Sequence, residues 1–431
     1  MKKIVRVLGV AVLAALIGFS VTACDNPAGT GGGGVGGGSG AGGNGTGGGT
    51  GGGGGEGSGS NGGGGGNGGV DNSLAGQLAR LRANAQSGGT YIVTIHADES
   101  IAPAQSALPS GRSGLRIYLR SSGPERTVTL SQNGILFTVG ADVTLVLDQN
   151  VTLMGRGLHA VPPTPANNNS LVRVYGTFVM NTGSRIRANQ NTSTGGTAGA
   201  VHITNSGTFT MNGGEIYRNS SSNPGGGVGV GAFGVFTMHG GTIRQNSVMF
   251  LNAGGNGGGV AVGRSGVFNM YAGTITENQA GGGAGVFNVG EFTMHTGTIS
   301  ANTASLGNIL GVGGGVVNWG TFTMYGGAIS GNSTNGSGGG INNSDIGVFT
   351  MSGGTISGNN AGAFGGGIYS GGNASLHITN GTIYGSEAAV SQALRNTATI
   401  GSALSRPSGG TVTPQLGIAM NNTIRVVNGV L

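Results

Sequence analysis

The stretch GGGVVNWGTFTMYGGAISGN, from Gly313 to Asn332, contains the pattern that decides the fold. Three short apolar segments alternate with glycine-rich turns, and an asparagine closes the unit. The central Phe-x-Met segment alternates apolar and polar residues, which is the period-2 pattern of a strand with one buried face. The segments are too short for helices and contain the Thr, Val, Ile and Phe residues that favour strands. The unit therefore predicts three short β-strands joined by tight turns.

The same unit recurs along the chain, with successive core Met residues 24 to 32 positions apart. Such spacing is typical of solenoids, whose units bury their apolar faces only by stacking on one another. Stacking in register places identical residues above one another about 4.8 Å apart, so aligned Asn side chains can form a hydrogen-bonded ladder. The Phe/Met pairs are Phe178/Met180, Phe209/Met211, Phe236/Met238, Phe268/Met270, Phe292/Met294, Phe322/Met324 and Phe349/Met351. The Ile and Asn that follow them are Ile186/Asn189, Ile216/Asn219, Ile243/Asn246, Ile275/Asn278, Ile299/Asn302, Ile329/Asn332 and Ile356/Asn359, and the series ends at Ile383/Ser386.

Glycine triplets precede the first strand of most units. Because glycine adopts positive φ without a steric penalty, corner geometry explains these triplets better than phosphate binding does. The pattern predicts an all-β fold, a right-handed parallel β-helix (solenoid) of about ten coils. The triplets are Gly225–Gly227, Gly257–Gly259, Gly281–Gly283, Gly313–Gly315, Gly338–Gly340 and Gly365–Gly367.

These units resemble those of glycine-rich surface lipoproteins of spirochaetes and, more distantly, the repeats of chlamydial polymorphic outer-membrane proteins. The chlamydial repeats contain Gly-Gly-Ala-Ile and Phe-x-x-Asn. The counterparts here are residues 338–341 (GGGI) and 299–302 (ISAN), with Ile299 in the place of Phe. The resemblance covers about residues 130–386. It implies a pectin-lyase-like β-helix of the kind often used for surface adhesion, and it implies no substrate, because this fold class contains enzymes and binding proteins alike.

Residues 1–23 have the pattern of a lipoprotein signal peptide, a basic start followed by an apolar segment over residues 7–19. That segment is shorter than the roughly 20 apolar residues that a membrane-spanning helix needs. Residues 21–24 (VTAC) resemble a lipobox, so we expect Cys24, the only cysteine, to carry lipid rather than to be a plain thiol. Residues 24–70 then comprise this lipidated Cys and a disordered Gly-rich tether.

Residues 71–89 are predicted to form an N-terminal helical cap over the open end of the solenoid. Ser73 can cap a helix whose apolar residues Leu74, Leu78, Leu81 and Ala85 share one side.

Residues 90–386 are predicted to form the β-helix repeats. Their first turn is expected to contain irregular strands at residues 91–95, 115–119 and 127–130. Residues 387–431 are predicted as a C-terminal cap, with a short helix at 387–395 and a last strand at 423–427.

Two long corners, residues 247–256 and 303–312, contain apolar side chains. Either they form an exposed apolar patch, and hence an interface for a partner, or they fold over the shorter corner between them and bury one another. The sequence leaves both possibilities open.

The net charge of the chain argues against nucleic acid as a partner. After removal of the signal peptide the chain has 16 Arg, no Lys and 13 acidic residues, and this weak positive charge on an exported protein argues against nucleic-acid binding. The Arg residues concentrate in the N-terminal half. Several flank the Ile of successive coils, which predicts a face for acidic glycans or a membrane surface, with plain solvated surface as the alternative. This basic face consists of Arg185, Arg187, Arg218 and Arg244.

An enzyme on this fold would need paired carboxylates or acids that hold calcium. The acids of the coils occupy different positions in the repeat, so stacking brings no two together. His239 and His295 share a position but lie two coils apart, about 10 Å, which is too far for one zinc ion. We therefore expect no enzyme, metal or cofactor, with a polysaccharide lyase or hydrolase as the alternative. The acids are Glu215, Glu277, Glu291 and Asp345.

A third class is ice binding, which requires two aligned rows of Thr. The middle residue of Phe-x-Met gives one row, but two residues earlier only Thr208 and Thr321 among six positions are Thr. The first row is Thr210, Thr237, Thr293, Thr323 and Thr350.

The residue after each core Met leaves the buried face, and in four successive units it is aromatic. Stacking predicts an exposed ridge about 15 Å long that binds sugars, with simple packing of strand-end aromatics as the alternative. The ridge consists of His239, Tyr271, His295 and Tyr325. The expected function is a non-catalytic cell-envelope lipoprotein at the outer membrane or cell surface. It would be an adhesin or interaction scaffold whose partners are the membrane, through the lipid, and glycans or host surface proteins.

The anchor is testable by metabolic labelling with a fatty-acid analogue. The protein should take up the label, and Cys24→Ala should remove it, because no other residue can be acylated through a thiol. Label retained by the variant would contradict the assignment of Cys24.

Overall fold

The computed structural model describes residues 70–204, 206–249, 255–305, 310–344, 346–406, 411–413 and 419–426. The predicted signal peptide, Cys24 and nearly all of the predicted tether lie outside the described residues, as do Asp345 and parts of both long corners. Within them the chain forms a parallel β-solenoid of about ten turns. The predicted all-β solenoid is thus confirmed.

One face of the solenoid, the Phe face, is built from the strands that contain Phe-x-Met or its counterpart. Parallel pairing sets Phe292 beside Phe268 and Phe322, in the predicted register. The strands are Thr90–Ile95, Leu115–Ser121, Val143–Leu147, Thr177–Met180, Thr208–Met211, Val235–Met238, Val267–Met270, Glu291–Met294, Thr321–Met324, the first parts of Val348–Ser357 and Ser375–Ile383, and Thr411–Thr413.

The next face, the Ile face, continues the same sheet of 22 strands, because Val348–Ser357 and Ser375–Ile383 run through both faces. Its other strands are Glu99–Ile101, Arg126–Leu130, Val151–Met154, Arg185–Arg187, Glu215–Tyr217, Thr242–Arg244, Thr274–Thr276, Thr298–Ser300, Ala328–Ser330 and Ile424–Val426.

The third face, the Val face, is a separate sheet of 11 strands that mostly follow the glycine triplets. They are Phe137–Val139, Val172–Val174, Val201–Ile203, Val228–Val230, Val260–Val262, Val286–Asn288, Val316–Asn318, Ile341–Asn343, Ile368–Ser370, Leu404–Ser405 and Ala419–Met420.

A fourth sheet, which the sequence did not predict, follows the repeated Asn. We call it the Asn corner; its seven strands have two residues each, too few to show an alternating pattern. They are Gln190–Asn191, Ser220–Ser221, Ser247–Val248, Gln279–Ala280, Thr303–Ala304, Ser333–Thr334 and Asn360–Ala361.

The core is a set of columns of identical side chains. Seven Phe rings, from Phe178 to Phe349, stack with centroids 4.5 to 5.1 Å apart and are essentially inaccessible to solvent. The Met and Ile columns are equally buried, while the Thr between Phe and Met stays on the outside. Apolar area removed from water in this way provides most of the stabilisation.

The repeated Asn side chains form a buried ladder, as the register predicted. From Asn219 to Asn359 each side-chain Nδ2 donates to the Oδ1 of the Asn one turn further along, at 2.9 to 3.1 Å. The prediction is wrong at the C-terminal end, where Asn396 and not Ser386 accepts from Asn359. The chain makes an extra loop and a short 3₁₀ turn before Asn396, so the three-residue spacing after Ile383 fails.

The glycine triplets have two different roles. Gly313 has φ of +61°, as the corner requires, whereas Gly315 is needed for space. A Cβ on Gly315 would lie 2.6 Å from the carbonyl oxygen of Gly340 and 3.0 Å from the ladder nitrogen of Asn332. In one coil the predicted triplet at residues 281–283 is displaced: residues 283–285 (GAG) occupy the corner, directly before Val286.

The helix Leu74–Asn84 closes the N-terminal end, and Ser73 caps it by accepting a hydrogen bond from the backbone of the first turn. Leu78 is buried against the first turns of the solenoid. The Gln77 side chain donates to the carbonyl oxygen of Thr94 at 2.6 Å and accepts from its N–H at 2.9 Å. The helix therefore covers the core and also pairs part of the exposed strand edge.

The first turns differ from the prediction. Thr90–Ile95 pairs in parallel along its whole length with Leu115–Ser121, so the two strands belong to neighbouring turns and not to one. Glu99–Ile101 completes the first turn by pairing with Arg126–Leu130.

The C-terminal end reverses direction. The predicted helix at 387–395 is reduced to the 3₁₀ turn Gln392–Leu394, and the predicted last strand is present as Ile424–Val426. That strand runs antiparallel to Ser375–Ile383, which ends the parallel stacking.

The long corners are partly described. Val248 is buried in a small second cluster with Ala280, Ala284 and Ala304, so this part of the first corner packs inward. Leu310 of the second corner is 72% exposed.

Burial of the Phe column gives a direct test of the register. Phe292→Asp should destabilise the solenoid by more than about 4 kcal/mol, because it removes a stacked ring and buries an unpaired carboxylate. Thr293→Asp, one residue away on the outer side, should change the thermal midpoint little. Equal effects of the two substitutions, followed by circular dichroism, would contradict the assigned register.

Candidate functional site

The predicted aromatic ridge is present in the structure as a continuous stack. The four ridge residues His239, Tyr271, His295 and Tyr325 each follow a buried Met on the Phe face, where the strand ends and the side chain turns to the surface. Ring centroids are 5.0, 4.4 and 5.3 Å apart in sequence order, and the ring planes differ by 5 to 21°.

This near-parallel stacking decides which atoms of the ridge a ligand can reach. The inner rings, Tyr271 and His295, have both faces covered by neighbouring rings, so they offer only their edges. Tyr271 is 43% exposed and Tyr325, at the end of the stack, is 55% exposed. No hydrogen bond to another described residue engages either tyrosine hydroxyl. The ridge therefore presents a line of unbonded polar edges with one open tyrosine face at its C-terminal end.

The same surface column continues beyond both ends of the ridge with polar side chains. On the N-terminal side Asn212 donates to Asn181 at 3.1 Å, Asn181 donates to Asp148 at 3.3 Å, and Arg120 forms an ion pair with Asp148 at 3.0 Å. Burial tends to raise the pKa of Asp148, but hydrogen bonds from Asn181 and the backbone, together with Arg120, outweigh it and lower the pKa below its usual value.

On the C-terminal side Tyr325 is followed in the column by Ser352, and Ser352 pairs with Asn380 across a bulge that contains Thr379. Thr379 lies 3.3 Å from Ser352 through their hydroxyl oxygens, with Thr379 as the donor. The position after the fourth ring is therefore occupied by a side chain without a ring.

The four predicted arginines are only partly brought together. Arg187 and Arg244 share one column of the Ile face with Tyr217 between them, and the Arg244 guanidinium lies 4.6 Å from the centre of the Tyr217 ring. Arg185 and Arg244 both form ion pairs with Glu215, at 3.3 Å, and Arg185 also pairs with Glu125. This face is an ion-pair network and not a uniformly positive surface.

Arg218 is turned away from this network into the Asn corner. There its Nε donates to Gln245 at 3.3 Å, and Gln245 donates to Glu277 at 2.8 Å. These three side chains line a polar groove of about 330 Å³ together with His159. The groove contains a single carboxylate, from Glu277.

The acids considered for catalysis lie at separate places in the described chain. Glu215 is on the Ile face, Glu277 lies just before the Asn corner, and Glu291 is on the Phe face between Val267 and Thr321. Asp345 lies outside the described residues.

Two parallel rows of Thr and Ser side chains are present in the structure. They lie on the Ile face and not on the Phe face, where the sequence analysis looked for rows of Thr. On the Phe face the Thr row is interrupted by Asn269 between Thr237 and Thr293. On the Ile face two rows run side by side over four coils with one Ala, and Ser300 donates to Thr276 at 3.3 Å. The two rows are Thr274/Thr276, Thr298/Ser300, Ala328/Ser330 and Thr355/Ser357.

His202 has the most perturbed environment of the described histidines. It is 2% exposed on the outer side of the Val face, beside Arg173, and its Nδ1 has no hydrogen-bond partner among the described residues. Burial, with a contribution from Arg173, lowers the pKa of His202 to about 4. A side chain so enclosed cannot reach a ligand, and we assign it to packing.

Among the described residues, no helix is both long and apolar enough to cross a membrane, and no group of three or more His, Cys, Asp or Glu could hold a metal ion. No protein-family model, curated protein or solved structure matches the chain. The resemblance to spirochaete lipoproteins therefore rests on the repeat motif alone.

His202 makes stability depend on pH. The unfolded chain binds the proton near pH 6.5 and the folded chain only near pH 4, so stability should fall by up to about 3 kcal/mol as the pH drops between these values. As the pH falls from 7 to 4, the thermal midpoint of the wild type should decrease more than that of His202→Gln, which lacks the titrating group. His377→Gln, at a partly exposed site, serves as the control, and identical acid sensitivity of His202→Gln and the wild type would refute the assignment.

Proposed function

We propose that the chain is a non-catalytic cell-envelope lipoprotein of the glycine-rich spirochaete type, which displays the solenoid as an adhesin that binds glycans. The observation that carries the proposal is the aromatic ridge, His239, Tyr271, His295 and Tyr325, stacked and exposed over four coils. Exposed aromatic rings with unbonded hydroxyl groups suit carbohydrate, which combines apolar C–H surfaces with hydroxyl groups.

The proposed anchor and tether suit display. Lipid on Cys24 would hold the chain at the outer membrane or cell surface. Residues 25–70, which are nearly all Gly, Ser, Asn and Thr, would give a flexible chain with a root-mean-square reach of about 40 Å. A ridge at that distance from the lipid can contact a glycan or a host surface protein. The coil itself is expected to be right-handed, the hand that parallel strand connections strongly favour.

The separation of the carboxylates supports a binding role. Glu277 and Glu291 lie on parts of the solenoid surface away from Glu215, whereas glycoside hydrolysis requires two carboxyl groups within about 10 Å across one bond. Glu125 and Glu215 do come close to each other, but Arg185 pairs with both, and an arginine between two carboxylates holds them ionised rather than leaving one as a general acid. The paired Arg185 and Arg244 likewise favour neutral over acidic ligands, because their charges are already balanced by Glu125 and Glu215.

A glycan array with purified protein lacking the signal peptide tests the proposal. Tyr271→Ala/Tyr325→Ala should reduce binding at least tenfold, because it removes both hydroxyl groups and breaks the stack. The matched control is Tyr118→Ala/Tyr217→Ala, which removes two partly exposed tyrosines away from the ridge. All proteins should melt alike. Unchanged binding by the ridge variant would eliminate the ridge as the binding site.

A further inference from the structure

The two ends of the aromatic ridge are not equivalent. Beyond His239 the next position is filled by Asn212, whose side chain is held in place by a hydrogen bond to Asn181. Beyond Tyr325 the next position is Ser352, whose side chain is smaller than that of Asn212 and fills less of the space beside the last ring. The stack therefore stops at Tyr325 with one ring face uncovered.

The open position has the dimensions of one more ring. Neighbouring turns are separated by about 4.8 Å, and the four rings of the ridge repeat at 4.4 to 5.3 Å. A fifth ring stacked on Tyr325 would lie above Ser352. The greater exposure of Tyr325, 55% against 43% for Tyr271, agrees with a face that no neighbour covers.

The side chains around this position determine the ligand chemistry. Ser352 and Thr379 supply two hydroxyl groups 3.3 Å apart, each of which can donate to and accept from a ligand. No Lys or Arg occurs between Arg264 and Arg395 in the sequence, so no fixed positive charge is present in these coils to recognise phosphate or carboxylate. The surroundings favour an uncharged ring that has hydroxyl groups at its edge and an apolar face.

We infer that the position above Ser352 is a saccharide subsite, in which one neutral pyranose ring stacks on the free face of Tyr325. The hydroxyl groups of Ser352 and Thr379 bind the hydroxyl groups of the sugar. This inference rests on the proposed function and assigns its specificity to one end of the ridge, while the inner rings hold Tyr325 in place.

A substitution that completes the stack tests the subsite. Ser352→Tyr puts a fifth ring on Tyr325, at a position where the repeat already accepts Tyr in two coils, so it should preserve the fold and block the subsite. The probe is an array of neutral hexose and N-acetylhexosamine oligosaccharides with their uronate and sialylated counterparts. Binding of neutral sugars by Ser352→Tyr should fall at least tenfold. Asn212→Tyr, which extends the other end of the ridge, should bind as the wild type does.

A smaller change provides an independent measurement. Thr379→Val removes one hydroxyl group with little change in shape and should weaken binding about threefold to tenfold. Full binding by both Ser352→Tyr and Thr379→Val would overturn the subsite. If Tyr271→Ala/Tyr325→Ala still abolished binding, the proposed function would stand, with the ring edges as the contact. Preference for the acidic sugars would also overturn the subsite, and binding to no sugar would overturn both proposals.

Discussion

The buried asparagine ladder fixes the register on which every other column of the solenoid depends. Each amide is fully bonded: Asn332 donates to Asn359 and to the carbonyl oxygen of Ile299, and its Oδ1 accepts from the side chain and the backbone of Asn302. A slip of one residue would leave these groups buried without partners, at a cost of about 1–3 kcal/mol for each. Because the penalty recurs in every coil, register errors are strongly disfavoured.

Surface order follows from this internal order. A parallel stack that places Phe292 on Phe322 also places His295 on Tyr325. This follows because, in both coils, the ridge residue comes three positions after the Phe. The exposed ridge therefore needs no interaction of its own to be aligned. The same reasoning applies to the hydroxyl rows of the Ile face and to the ion pairs of Arg185 and Arg244 around Glu215. Evolution can thus change outer residues while the ladder maintains their spacing.

Structural features that arise from repeated or alternating residues could be predicted from the sequence. The Phe, Met, Ile and Asn columns could be predicted because each recurs at a fixed place, and the position of the ridge followed from them. Features that occur once carry no such signal: Gln77 pairing with a strand edge, Asn396 in place of Ser386, and the shift of one glycine corner to residues 283–285. The two-residue strands of the Asn corner were missed because alternation needs more residues. Ring orientation, which determines whether faces or edges are exposed, depends on side-chain torsions and not on spacing.

In such a regular stack, binding specificity is favoured where a column is interrupted. An inner ring of the ridge has another ring on each side. Both of its faces are therefore covered, and only its edge is available to a ligand. An interruption leaves one partner without its neighbour. Ser352 is such an interruption: it ends the ring column on Tyr325 but keeps the backbone spacing, so the vacant position has the thickness of a ring. The repeat thus sets the spacing at the end of the stack, and the residue that ends the ring column there is the one to which the proposed subsite assigns specificity.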